Sequence, residues 1–312
     1  MERGLILDVH SHILTKSYID FMSKRGYLKP SGLTVWGRNY PVNKFLLDLD
    51  EKLKDLKSLG GEVIPFLSIP PPWTYFLPKE EEVRLVKEVN DELAKMASDR
   101  IRTLATLPMT DVNEAMGEAE RAIKDLGMDG FIVGTGLNVE TIADDRFEPL
   151  LRKLANLGKP VFLHPGTLIL GLDEGAMSST VSYPFETTFV LAKLGIRGIL
   201  REFNLKLIVP HGGGYLPYQL GRFDMLYETG RSKFKLSEEL NNVFFDVVVY
   251  HKMELELLYR RFGVDKMLYG TDHPFPISRP ALFARIVEET LPKEKEKVFY
   301  QNAKKLFELN WL

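Results

Sequence analysis

The chain has 312 residues, a formal net charge of −2 and no cysteine. This length suits two average domains or one large α/β barrel. The near-neutral charge and scattered basic residues argue against a polybasic protein that binds nucleic acid or a membrane surface. Without cysteine, disulfides and thiolate metal sites are excluded, so any bound metal must have nitrogen and oxygen ligands.

Neither a membrane segment nor a signal peptide is expected. No apolar run approaches the roughly 20 residues that cross a bilayer. The N-terminal "LILDV" is too short for a signal-peptide core and is interrupted by Asp8. We therefore expect a cytoplasmic enzyme.

Short apolar segments alternate with longer amphipathic ones along the chain. Several of the short segments lack polar alternation, which is typical of strands buried on both faces of a parallel sheet. The predicted strands are residues 4–10, 62–70, 100–109, 130–135, 160–165, 205–211, 243–249 and 266–272. Three predicted helical segments, 42–60, 111–127 and 146–158, end on glycine, a common helix stop.

Eight strands alternating with helices predict an α/β fold, a single-domain (β/α)8 TIM barrel that spans residues 1–312. A doubly wound sheet would need a glycine-rich phosphate-binding turn after the first strand, and none is present. Residues 11–42 and 166–183 exceed ordinary loop length. Both follow carboxyl ends of predicted strands, where a barrel has its active site, and the second is expected to be a lid or substrate loop.

Four of the six histidines and one aspartate follow predicted strands. They are His10, His12, His164, His211 and Asp272. The spacing of two places His10 and His12 on one face of their strand, and carboxyl ends of barrel strands converge. Imidazoles with a carboxylate suit a catalytic Zn²⁺ or a comparable divalent ion with an open position for water. Any one of these histidines, taken alone, is as well explained as a hydrogen-bonded surface residue.

The remaining candidates have open alternatives. Asp246 either orients a metal ligand or caps a turn. The three glycines after His211 either permit a close backbone approach or simply form a tight turn. His251 and His273 have no assigned role.

Motifs spread over nearly the whole chain resemble the amidohydrolase superfamily, within it the aminocarboxymuconate-semialdehyde decarboxylase-like branch. "HGGG" and "GTDHPFP" are the elements specific to that branch. The matching stretches are residues 8–14, 102–109, 162–166, 184–188, 209–222, 244–249, 268–276 and 302–309.

The resemblance implies a site with one divalent ion. Its metal ligands would be His10, His12, His164 and Asp272, with zinc as the expected metal. His211 would be the catalytic histidine beside a metal-bound water, with Asp272 also taking part in catalysis. The fourth predicted strand ends in "FIVGTG". It lacks the lysine with which relatives bridge two metals, so we expect a mononuclear site.

Four residues are candidates for substrate binding, and the two arginines among them are suggested by the same resemblance. Arg222 matches an arginine that relatives present across a homodimer interface, although it could also be a solvated helix residue. Arg38 is the nearest candidate for a second substrate arginine. Trp36 and Trp73 could form walls for an aromatic substrate or could pack as loop anchors. Gly166 stands where relatives often have an aromatic residue, which leaves the substrate open.

Three functions are compatible with the sequence. The first is non-oxidative decarboxylation of a small conjugated or aromatic carboxylate. The second is metal-dependent hydrolysis of a lactone, amide or ester, which needs the same ligands. The third is a ligand-binding barrel without activity, which the full set of site residues disfavours. The branch-specific motifs and the arginines, suited to binding carboxylates, favour decarboxylation.

Overall fold

The computed structural model describes residues 3–168 and 177–310. Eight strands form one parallel sheet, in which neighbours in space are neighbours in sequence. Each strand overlaps a segment predicted from the sequence. The strands are β1 (Leu5–His12), β2 (Glu62–Ser68), β3 (Arg102–Ala105), β4 (Gly130–Gly134), β5 (Val161–His164), β6 (Leu207–Val209), β7 (Val243–Asp246) and β8 (Met267–Leu268).

The two edges of this sheet meet, which makes it a nearly closed barrel. The amide of Val9 in β1 donates to the carbonyl of Tyr269 at 3.0 Å, and the amide of His12 donates to the carbonyl of His273 at 2.9 Å. The predicted (β/α)8 barrel is therefore confirmed. Closure brings the end of β1 against the residues that follow β8, although they are about 260 positions apart in sequence.

Helices connect successive strands and cover the barrel, as the alternating pattern predicts. They are α1 (Lys16–Lys24), α2 (Lys44–Leu47), α3 (Leu49–Leu56), α4 (Lys79–Met96), α5 (Val112–Lys124), α6 (Glu148–Leu157), α7 (Tyr183–Ile196), α8 (Ile199–Phe203), α9 (Leu216–Glu228), α10 (Leu236–Glu239), α11 (Lys252–Phe262), α12 (Pro280–Thr290) and α13 (Asn302–Leu306).

The predicted continuous helix 42–60 is wrong in one respect, because it is divided at Asp48. The backbone of Asp48 is extended, with φ −128° and ψ 112°, and its carboxylate accepts a hydrogen bond from the amide of Glu51 at 3.0 Å. An aspartate in this position caps the helix that follows it. The capping preference of Asp48 thus overrides the amphipathic periodicity and starts α3 as a separate helix.

Both long connections lie at the carboxyl ends of strands. The first contains α1 and a small antiparallel sheet formed by Leu28–Lys29, Gly32–Val35 and Arg38–Tyr40. In the second, residues 169–176 lie outside the described residues, so the lid assigned to residues 166–183 stays a prediction.

Glu186 of α7 fixes the start of this second connection. Its buried Oε1 accepts hydrogen bonds from the amides of Gly166, Thr167 and Leu168 at 3.0–3.1 Å, and from the hydroxyl of Thr135. Burial raises the pKa of the Glu186 carboxyl, and these donors act in the opposite direction. The carboxylate therefore ties the ends of β4 and β5 to the helix that follows the loop.

Buried apolar side chains form one contiguous cluster between barrel and helices. Every residue of β4 and of β5 is buried, which explains their uninterrupted apolar sequences. No helix within residues 3–168 and 177–310 is long and apolar enough to cross a membrane. That residues 1–312 form one domain stays a prediction.

Replacing Glu186 with alanine should destabilise the protein by about 2–4 kcal/mol, because three backbone amides would lose their buried acceptor. Urea denaturation followed by circular dichroism measures this change. As a control, Glu256→Ala on the exposed face of α11 should change stability by less than about 0.5 kcal/mol. Equal stability of the two variants would contradict the anchoring role of Glu186.

Candidate metal centre

Three histidine rings surround one point at the carboxyl end of the barrel. His10 and His12 belong to β1 and His164 to β5, and all three are at most 2% exposed. Every pair of these rings has a centroid separation of 5.0 Å, with interplanar angles between 82° and 88°. This mutually perpendicular arrangement is one that three imidazoles adopt around a common centre.

Hydrogen bonds on the far side of the rings determine which nitrogen carries the proton. Nδ1 of His10 lies 2.6 Å from Oδ2 of Asp246, and Nδ1 of His164 lies 2.8 Å from the carbonyl of Pro165. Since a carboxylate and a carbonyl only accept, both Nδ1 atoms must donate. The Nε2 lone pairs of His10 and His164 are then directed at the centre. Nδ1 of His12 has Ser68 Oγ at 3.2 Å.

The carboxylate of Asp272 completes the cluster. Its Oδ1 lies 3.1 Å from Nε2 of His10 and 3.3 Å from Nε2 of His12, and these two nitrogens are 3.1 Å apart. Nε2 of His164 and Oδ1 of Asp272 are buried without a hydrogen-bond partner. Acceptor atoms this close repel one another unless a cation lies among them. The donor set therefore fits a divalent metal ion with nitrogen and oxygen ligands.

The protonation equilibria of the cluster agree with this interpretation. Burial lowers the pKa of His12 to about 3 and that of His164 to about 4, which keeps both rings neutral as metal ligands must be. Burial also acts to lower the pKa of His10, but Asp272 and Asp246 outweigh it and raise the value to about 10. The excess negative charge at His10 favours a bound cation, whether a proton or a metal.

Asp246, at the end of β7, performs both roles left open by the sequence. It accepts the proton of His10 Nδ1, which orients that ring and increases its basicity. Its other oxygen accepts hydrogen bonds from the amides of Gly212 and Val248 at 3.2 and 3.1 Å, which stabilises two turns. Asp246 thus connects β1, β6 and β7 beneath the cluster.

His211 lies beside the cluster at the end of β6. Its Nε2 is 3.6 Å from Oδ2 of Asp272, and its side chain is 16% exposed, more than the other histidines of the cluster. The glycines after it have positive φ angles, and a Cβ at Gly214 would lie 2.3 Å from the carbonyl of Pro184. Here the glycines serve both the turn and a close approach.

One group of side chains among the described residues meets the geometry of a metal site. The ligand atoms of His10, His164, His211 and Asp272 all lie within 4.8 Å of one another. The contacts of His12 with His10 and Asp272 place a fifth donor in the same cluster. β4 ends at Gly134, which offers no side chain for a second ion.

A cavity of about 220 Å³ opens on one side of this cluster. His164, His211 and Asp272 form its base, and aromatic and apolar side chains such as Tyr40 and Phe275 form its walls. Sequence reasoning missed both wall residues. Tyr40 lies in a long connection without periodicity, whereas Phe275 could have been found, because "GTDHPFP" contains it three positions after Asp272.

The four predicted substrate residues lie outside the described lining of this cavity. Trp73 is fully buried, stacked on Tyr75 at 5.3 Å and packed edge-on against His164 at 5.7 Å. Trp36 packs edge-on against Phe76. These contacts correspond to the packing alternative for both tryptophans.

The two arginines differ in their surroundings. Arg38 directly precedes two residues of the cavity wall, and its Nη2 donates to the carbonyl of Leu168 at 3.0 Å. Arg222 is exposed on α9. It is not among the residues that line the cavity of its own chain.

The two unassigned histidines have structural partners. His251 caps α11, because its Nδ1 accepts from the amide of Met253 and Glu254 completes a capping box. Nδ1 of His273 lies 2.7 Å from Nζ of Lys52.

The comparisons with known proteins agree with this geometry. A family model described as amidohydrolase matches residues 76–309. The chain belongs to this family. It is also 24% identical to 2-amino-3-carboxymuconate-6-semialdehyde decarboxylase of Dictyostelium discoideum, over 96% of this chain and 91% of that protein. The resemblance to this branch of the amidohydrolase superfamily is thereby confirmed.

Solved structures give the same fold. A 5-carboxyvanillate decarboxylase from Novosphingobium aromaticivorans, complexed with manganese and 4-hydroxy-3-methoxy-5-nitrobenzoic acid, matches with a TM-score of 0.84 and 22% identity, covering 98% of this chain and 96% of that one. A dihydroxybenzoic acid decarboxylase from Polaromonas, with manganese and 2-nitroresorcinol, matches with a TM-score of 0.81 and 22% identity, covering 99% and 98%.

We predict one equivalent of divalent metal per chain, measured by elemental analysis after dialysis. His12→Ala should lose most of the metal, because three remaining ligands bind it far more weakly. His211→Ala should retain about one equivalent. Two equivalents in the wild type, or loss of metal from His211→Ala but not from His12→Ala, would contradict this ligand assignment.

Proposed function

We propose that this protein is a metal-dependent carboxy-lyase that removes CO₂ from a small conjugated or aromatic carboxylic acid without oxidation. The observation that carries the proposal is the position of His211 and Asp272. Both side chains belong to the histidine cluster and also form the base of the cavity. A substrate in the cavity therefore meets a metal centre and a histidine at once. The decarboxylase relative that spans nearly the whole chain supports this reaction class.

The proposed metal ligands are His10, His12, His164 and Asp272. A divalent ion held by these four side chains would supply Lewis acidity towards a substrate oxygen or a water molecule. Three imidazoles favour zinc, which we propose as the metal. Manganese is the alternative, because both structural neighbours contain bound manganese.

The proposed role of His211 is to move a proton. Decarboxylation breaks the bond between the carboxylate carbon and the ring or alkene carbon, and a proton takes the place of CO₂ on that carbon. His211 is partly exposed and lines the cavity, and histidine is the side chain that most often transfers protons in enzymes. Asp272 lies 3.6 Å from Nε2 of His211, and its proposed part in catalysis is to place its negative charge beside that ring.

The walls of the cavity favour a flat, largely apolar substrate. Phe275 and Pro71 offer apolar surface opposite the polar base, and the cavity of about 220 Å³ has room for one small ring. Arg38 is proposed to bind a substrate carboxylate, since it directly precedes the cavity-wall residues Asn39 and Tyr40. The proposed substrate is thus a small aromatic or conjugated carboxylate.

We also propose a homodimer in which Arg222 reaches the site of the partner subunit. Tyr218, Arg222 and Met225 follow one another at helical spacing on one face of α9, and Tyr218 and Met225 are 77% and 53% exposed. On the neighbouring α7, Phe185 and Phe189 are both 44% exposed and stack on each other. Exposed apolar side chains clustered in this way are typical of an interface.

The reaction is tested with a panel of hydroxybenzoates and unsaturated carboxylates, using protein loaded with zinc or with manganese. We expect CO₂ release from at least one acid. His211→Ala should lower turnover about 10²–10⁴-fold while keeping the metal, as for the loss of a general acid–base group. His251→Ala, the same substitution at the cap of α11, should leave turnover unchanged.

Two outcomes would overturn the proposal. If no acid releases CO₂ while lactones, amides or esters are hydrolysed, the protein is a hydrolase. Wild-type turnover in the His211→Ala variant would remove the catalytic role of that histidine.

The dimer is tested by sedimentation velocity at micromolar concentration, where we expect a species of twice the 35.7 kDa chain mass. Replacing Tyr218 with lysine should shift this species towards the monomer, because it puts a charge into an apolar interface. Glu256→Lys, on the exposed face of α11, is the control and should remain dimeric. A wild-type protein that sediments as a monomer would contradict the interface and the role of Arg222.

A further inference from the structure

The backbone of Asp272 has an unfavourable conformation. Its φ angle is 53°, in the left-handed region that residues other than glycine rarely adopt. A strained residue keeps its conformation only when its surroundings hold it. The hydrogen bonds of the two flanking residues, Thr271 and His273, show what does so here.

Asp8 holds the residue on the N-terminal side. Its Oδ1 accepts a hydrogen bond from the amide of Thr271 at 3.0 Å, and its Oδ2 accepts one from the Thr271 hydroxyl at 2.7 Å. Asp8 is fully buried in β1, two positions before His10. Both of its oxygens bond to Thr271, and Asp8 is not among the residues whose ligand atoms converge, so its carboxylate fixes the chain next to Asp272.

Lys52 holds the residue on the C-terminal side. Its Nζ donates to Nδ1 of His273 at 2.7 Å and to the carbonyl oxygen of His273 at 3.2 Å. Because Nδ1 accepts, Nε2 of this imidazole carries the proton and donates it to Asp55 at 3.0 Å. The side chain and the peptide of His273 are thus both fixed by α3, the helix that carries Lys52 and Asp55.

A buried lysine in this position is costly. Lys52 has no exposed surface, and burial lowers the pKa of its ammonium group to about 7, with Asp8, Asp55 and Asp272 acting in the opposite direction. Within the described part of the chain, Nζ of Lys52 forms two hydrogen bonds, and both go to His273 rather than to a carboxylate. An apolar residue of similar volume would avoid this desolvation cost. Lys52 bonds to His273, the residue that follows Asp272, so a role in positioning Asp272 explains why a lysine is buried here.

We propose that Lys52 is a positioning residue which, together with Asp8 on the opposite side, holds Asp272 in the strained conformation that the metal centre requires. The inference rests on the metal site of the proposed function, but it does not depend on the reaction that the site performs. Lys52 does not line the cavity and hydrogen-bonds to His273 rather than to a cluster residue, so its contacts reach Asp272 through His273.

The test measures metal affinity rather than activity. Lys52→Met keeps the length of the side chain and removes the ammonium group. The metal-free full chain is titrated with Zn²⁺, and separately with Mn²⁺, in competition with a coloured chelator. We expect the metal dissociation constant to rise about 10–100-fold, as for the loss of other groups that orient a metal ligand. Asn90→Ala, which removes a buried side chain on α4 that bonds to Thr106 and Glu118, is the control for general destabilisation and should bind both metals like the wild type.

A folded Lys52→Met protein with wild-type affinity for both metals would overturn the proposal. If that variant does not fold, Thr271→Val takes its place, because it removes the hydroxyl bonded to Asp8 at nearly constant volume. Wild-type metal affinity in folded Thr271→Val would equally overturn it. A failure of the proposed decarboxylation is distinguishable, since it would appear as absent CO₂ release with unchanged metal binding.

Discussion

The site depends on the convergence of acceptor atoms that cannot hydrogen-bond to each other. Nε2 of His10 and of His12 and Oδ1 of Asp272 lie within 3.1–3.3 Å of one another in the barrel interior. In water such lone pairs would separate, but here the barrel holds them together. A bound cation converts this repulsion into ligand bonds, so metal binding and the stability of the site are linked. The closure of β1 against the chain after β8 is what imposes the arrangement.

Two residues of the site have strained backbones, and buried carboxylates nearby stabilise them. Both His211 and Asp272 have φ angles near 55°, the left-handed region, and each follows the end of a barrel strand. Buried carboxylates stabilise these conformations by accepting hydrogen bonds from neighbouring backbone amides. Asp8 accepts one from Thr271, and Asp246 accepts one from Gly212. The opening motif of β1 therefore has two functions, since Asp8 fixes the backbone while the histidines at spacing two supply donor atoms. A strained site maintained by its surroundings is a common feature of active centres.

The sequence predicted the barrel strands and the histidine cluster because both depend on local patterns. Apolar runs indicate buried strands. The carboxyl ends of all strands lie at the same end of a barrel, so residues that end different strands lie near one another there. Tyr40 and Lys52 could not be found in this way. Tyr40 reaches the cavity from a long connection without periodicity, and Lys52 resembles an exposed lysine of an amphipathic helix until the fold buries it. The position of Trp73 also depends on tertiary packing, which places it against His164 and not in the cavity wall.

Anomalous diffraction from crystals grown with manganese tests the central claim most directly. We expect a single anomalous peak per chain, bonded to Nε2 of His10, His12 and His164 and to the carboxylate of Asp272, with Nδ1 of His10 still hydrogen-bonded to Asp246. Distances of about 2.0–2.3 Å from the ion to these four side chains would agree with metal coordination. A chain without a peak at this position, or a peak bound by other residues, would contradict the claim that converging acceptors at the barrel mouth are a metal site.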